Sequence, residues 1–170
     1  FVGMVLGLQG YDTLQRYVNL VGNWVALQSG RNDVNWRFGV LDTEDINAFA
    51  APGGYILVTK GLYRRLSSEA DLAGVLGHEI AHVTKKHHLK VLKQSSLIGA
   101  LGQAASQKAQ GSDQMVQNLI GNGAEIMARG LDKNAEFEAD RVGMIFAARA
   151  GYDAWGLPDV LQGLAGLPAK

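Results

Sequence analysis

The strongest constraint in this chain is the run at residues 68–82, where a stretch of apolar and small residues leads directly into His78-Glu79-Ile80-Ala81-His82. Leu72, Val75, Leu76 and Ile80 recur at helical spacing, which predicts a helix with one buried face. Ser68 stands where an N-cap is needed, and Glu69 and Asp71 fall in the first turn, where acidic groups complement the helix dipole. Residues i and i+4 share a helix face, so His78 and His82 can turn imidazole nitrogens toward one ion, with Glu79 placed to take a proton from water. The plainer reading is two surface histidines on a charged helix. The apolar lead-in argues against it, because unpaired histidine and glutamate are costly to bury there.

Composition narrows the choice of ligand. The chain has 170 residues and no cysteine, so disulfides and thiolate metal sites are excluded and any metal must take His, Asp or Glu. The length suits one domain spanning 1–170, trimmed at both ends. Sixteen Lys and Arg balance sixteen Asp and Glu, which leaves no net field to draw in nucleic acid. No stretch reaches the ~18 apolar residues of a membrane-spanning helix. Residues 1–8 are apolar but short and lack an initiator Met, which suggests a signal or lipid anchor upstream and peripheral membrane association.

Catalytic zinc sites commonly use three protein ligands and one open position. The third ligand is sought among carboxylates, and Glu136, within residues 134–141, is the best candidate. Glu136 and Asp140 share a helix face, whereas Glu138 is expected to point away. Asp140 can then orient a histidine ligand. His87 and His88 read as residues at the helix end that interact with its dipole. No oxyanion stabiliser stands out among Tyr11, Tyr63, Tyr152, Arg141 and Asn47.

Elsewhere a helix is expected over 11–28, with Leu14, Val18, Val21 and Val25 as its stripe and Tyr17, Leu20, Trp24 and Leu27 widening it. Short strands are expected near 36–40, 46–50 and 55–59, the last a candidate edge for pairing with an extended peptide. A short helical piece follows at 61–66. Residues 94–112 read as a loosely packed helix, a lid or a linker. Helix resumes from 114 to 149 with a break near a glycine, and a short helix starts near Pro158. The fold class is α+β, mainly helical, with a small sheet before the main helix.

Beyond the zinc motif the sequence resembles the M48 family of zinc peptidases. The resemblance is carried by Asn47-Ala48-Phe49-Ala50, Pro52-Gly53-Gly54-Tyr55-Ile56, Gly61-Leu62, residues 69–82, Glu136-Phe137-Glu138-Ala139-Asp140-Arg141 and Ala150-Gly151-Tyr152-Asp153, and it covers most of residues 10–160. It implies a zincin-like domain in which His78, His82 and Glu136 bind one Zn2+ and Glu79 is the catalytic acid and base. Asp140 matches a position sometimes assigned as proton donor, and supporting a histidine fits its spacing equally well. Without a membrane helix the chain looks more like the soluble, exported bacterial members, of the periplasmic BepA-like type, than like the membrane-embedded ones. The resemblance thus implies an endopeptidase acting on unfolded or misassembled protein in the cell envelope. The competing readings are an assembly-binding or chaperone module with an idle or gated zinc site, and a structural zinc site with a fourth protein ligand.

Overall fold

The computed structural model describes residues 12–51, 53–87 and 133–166. Its elements, in chain order, are α1 (Asp12–Leu27), β1 (Arg37–Leu41), β2 (Ala48–Ala51), β3 (Tyr55–Thr59), α2 (Lys60–Tyr63), α3 (Glu69–Thr84), α4 (Lys133–Arg149) and α5 (Gly156–Ala165). The architecture is α+β and mainly helical, as the sequence pattern implies. The segment at 94–112, the start of the helix expected from 114, Tyr11 and His88 lie outside the described residues.

Helix α1 buries Val18, Val21, Val25 and Ala26, with Leu14 and Tyr17 partly covered. The widened stripe is not what forms, because Leu20, Trp24 and Leu27 are exposed. At 100° per residue those three lie roughly 180–240° around the axis from Val18, on the opposite side of the helix. Trp24 is anchored instead through its indole N–H, which donates to the Ala150 carbonyl at 2.7 Å.

The sheet has the order β1-β3-β2, with β1 parallel and β2 antiparallel to β3. The turn joining β2 to β3 uses Gly53 and Gly54 at φ 89° and 83°, a region that favours glycine. The strand at 55–59 is therefore central, with both edges paired, and the expectation that it presents a free edge is corrected. Its side chains fit that position, since Ile56 and Val58 are fully buried. The free edges belong to β1 and β2. Two amide side chains of α1 close the β1 edge. Gln15 donates to the Phe38 carbonyl and accepts from the Val40 N–H, at 2.5 and 3.1 Å, while Asn19 accepts from the Phe38 N–H at 3.2 Å.

Helix α3 begins at its expected cap, with the Ser68 hydroxyl accepting from the Asp71 N–H at 3.1 Å. Most of it is buried, including Leu72, Leu76 and Ile80. Full burial of each is worth about 1.5–3 kcal/mol, which helps offset the cost of burying Glu79 and His82 on the same helix. Tyr17 and Tyr152 both donate to the Glu69 carboxylate, at 2.7 and 2.8 Å, and clasp the start of α3. The helix ends at Thr84, so Lys85, Lys86 and His87 fall beyond its last turn. Helix α5 starts at Gly156, two residues before the expected Pro158, which then occupies the first turn as proline can.

Helix α4 crosses α3 backbone to backbone. A Cβ at Gly77 would lie 2.6 Å from the Gly143 carbonyl oxygen, and one at Gly143 would lie 2.5 Å from the His78 nitrogen. Only glycine permits this approach, and it sets the α4 carboxylates against the α3 histidines.

Candidate metal centre

His78 and His82 share one face of α3, and Glu136 and Asp140 share the facing side of α4. His78 Nε2 lies 2.9 Å from His82 Nε2 and 3.5 Å from a Glu136 oxygen, while the other Glu136 oxygen lies 3.7 Å from His82 Nε2. Donors about 2.1 Å from one tetrahedral ion are separated by about 3.4 Å, so these three separations bracket what zinc needs. The three residues are also the only ones, among the described residues, grouped closely enough for joint ligation, their donor atoms lying within 4.8 Å of one another. The residues therefore fit a divalent ion with two imidazole donors, one carboxylate and an open side. Glu136 is almost half exposed and His82 almost fully covered, so solvent reaches the cluster from the Glu136 side.

The Asp140 carboxylate stands 2.8 Å from His78 Nδ1 and accepts its proton, which turns Nε2 toward the cluster. Burial works to lower the pKa of His78, but the hydrogen bonds to Asp140 and Glu136 win and hold it at about 10.

Glu79 is buried and accepts a hydrogen bond from the backbone N–H of Ala50 on β2. Burial pushes its carboxyl up to about 7; His78 pulls it down, Glu136 adds to the rise, and the Ala50 amide opposes it. A carboxyl poised near neutrality can both accept and return a proton.

The sequence reading missed His87 and Glu138. His87 is not simply a helix-end residue set against the dipole. It is 2% exposed, lies 3.0 Å (Nδ1 to Nδ1) from His82, and donates from Nε2 to Glu138 at 3.1 Å. Glu138 stays out of the ligand cluster, as its spacing implies, but it joins His87 to Lys85. Of the oxyanion candidates, Tyr152 has its hydroxyl committed to Glu69.

The profile of Peptidase family M48 matches residues 12–165. The chain is 32% identical over 164 residues to a beta-barrel assembly-enhancing protease of Yersinia pestis, covering 91% of this chain and 34% of that protein. It is 28% identical over 160 residues to the protein of the same name from Escherichia coli K12, covering 89% and 32%. A mitochondrial metalloendopeptidase OMA1 of Schizosaccharomyces pombe is 27% identical over 165 residues, covering 94% and 48%. The chain thus spans about a third of the length of the bacterial relatives. Among the described residues no helix is long and apolar enough to cross a membrane.

Proposed function

This chain belongs to peptidase family M48, and on that premise we propose that it is a zinc-dependent endopeptidase domain that hydrolyses peptide bonds in unfolded or misassembled proteins of the bacterial cell envelope. The observation that carries the chemistry is the meeting of Glu79 with the His78, His82 and Glu136 cluster at the edge of β2. The bacterial relatives named for assembly of β-barrels support the envelope and quality-control part of the reading. That part includes an exported location and a protein or peptide substrate.

In this reading His78, His82 and Glu136 hold the ion. Zinc bound there would supply Lewis acidity, polarising a carbonyl and making water acidic enough to lose a proton near neutral pH. Glu79, buried beside the cluster, is placed to take a proton from water and return it to the leaving amine. Asp140 acts through His78, holding the ring so that Nε2 faces the cluster, and this contact favours a positioning role over proton donation to substrate. The substrate lies extended along the outer edge of β2, taking the role the sequence reading gave to the next strand.

Cleavage of casein by the wild type and by Glu79→Gln tests this reading. Cleavage by the wild type alone, abolished by a chelator and restored by zinc, is the expected result. Equal cleavage by both proteins removes Glu79 from the chemistry. Zinc binding by both without cleavage by either supports a binding module instead.

A further inference from the structure

Helix periodicity places His87 away from His82. Five residues on, a continued helix would carry it about 140° around the axis. The contact forms because α3 stops at Thr84 and the chain reverses at Lys86, whose φ is 57°. This is the position after a helix where glycine is usual, and a residue with a side chain costs roughly 1–2 kcal/mol there. The strained residue is the one that turns His87 inward. His87 arrives with both ring nitrogens engaged and its ring edge-on to His82, the planes at 74°.

The direction of these hydrogen bonds follows from the acceptor at the end. An ionised carboxylate only accepts, so His87 Nε2 carries the hydrogen given to Glu138. With a single N–H, given to Glu138, His87 accepts at Nδ1, and the hydrogen between the rings then belongs to His82 Nδ1. That leaves the lone pair of His82 on Nε2, the atom facing His78 and Glu136. Lys85 holds the other Glu138 oxygen at 2.9 Å and fixes the end of the chain. Asp140 gives His78 the same orientation directly.

We propose that His87 is a positioning residue which, backed by Glu138, sets the tautomer and ring plane of His82 so that its Nε2 serves as a metal ligand. This rests on the reading of His78, His82 and Glu136 as the metal centre. A histidine buried only to fill space would affect stability and leave metal affinity unchanged.

The test uses the full chain. Zinc affinity is measured by competition with a chromophoric chelator, together with the visible spectrum of the cobalt-loaded protein, for wild type, His87→Phe, His87→Asn and Glu138→Ala. Phe keeps the ring's bulk without an acceptor, whereas Asn returns an oxygen near the place of Nδ1. His87→Phe should bind zinc about 10–100-fold more weakly with an altered cobalt spectrum. His87→Asn should recover most of the affinity. A folded His87→Phe with wild-type affinity and spectrum overturns the proposal. Should His87→Phe not fold, Glu138→Ala decides, since it leaves both rings in place: unchanged affinity overturns the proposal, and a several-fold loss supports it. If the wild type binds no zinc, the metal-centre reading fails. The nitrogen-15 histidine spectrum of the metal-free chain then decides the positioning claim, because His82 must be protonated at Nδ1 in the wild type, and another tautomer overturns it.

Discussion

The two outer edges of the small sheet receive opposite treatment. The β1 edge is closed by Gln15 and Asn19, which take up the Phe38 and Val40 backbone groups. The β2 edge meets no such cover from α1. Its Ala50 N–H is spent on Glu79, and the strand runs beside the cluster of His78, His82 and Glu136. A free edge is a template for another chain to pair with. Closing one edge with side-chain amides and giving the other a buried carboxyl confines that template to the side where the chemistry lies. The same kind of backbone group is tied into the fold on one side and, on the proposed reading, belongs to the metal site on the other.

The comparison breaks most visibly at Glu79. Replacing Glu79 with Gln keeps its shape and the Ala50 contact but removes the proton acceptor, and peptide hydrolysis should fall by about 10²–10⁴-fold with the melting temperature little changed. A smaller loss is expected for Ala50→Pro, which deletes the amide that holds Glu79 while remaining tolerable on an edge strand. A hydrogen bond to a charged group is worth about 1.5–3 kcal/mol, so kcat/KM should drop about 10–100-fold. On the closed side Gln15→Leu should destabilise the fold by about 1–3 kcal/mol, because two strand-edge groups lose their partner. Denaturant unfolding would show that loss, while activity per folded molecule stays at the wild-type level.

The smallest effect concerns the Tyr17 and Tyr152 clasp, which ties α1 to the start of α3. Burial raises the pKa of Tyr152 to about 12, and the hydrogen bond and charge of Glu69 add to the rise. The folded state therefore holds this proton more tightly than the unfolded chain, whose tyrosine titrates near 10. The resulting stability is complete below about pH 10 and lost as pH climbs toward 12. Melting temperatures recorded across that window should fall less steeply for Tyr152→Phe than for the wild type.

Much of this was legible in the sequence because it depends on local periodicity and caps. Ser68 starting α3, the strand at 55–59, and the common faces of His78 with His82 and of Glu136 with Asp140 all follow from spacing. What escaped depends on long-range placement. The central position of the 55–59 strand is set by how β1 and β2 fold against it, and no pattern within those five residues encodes that. Leu20, Trp24 and Leu27 are apolar yet exposed, so composition alone widened the buried stripe too far. The Ala50 amide is invisible to a side-chain pattern. His87 escaped because its inward turn depends on Lys86 adopting a backbone conformation usual for glycine.

On the proposed reading two histidines on α3 and one glutamate on α4 hold a single zinc ion. Its most direct test is the zinc content of the purified chain, by mass spectrometry after equilibration with zinc and removal of excess, for the wild type, His82→Ala and Glu136→Ala. One zinc per wild-type chain is expected, with almost none for His82→Ala and a clear loss for Glu136→Ala, in proteins that remain folded. A folded His82→Ala or Glu136→Ala that keeps a full equivalent of zinc would contradict it.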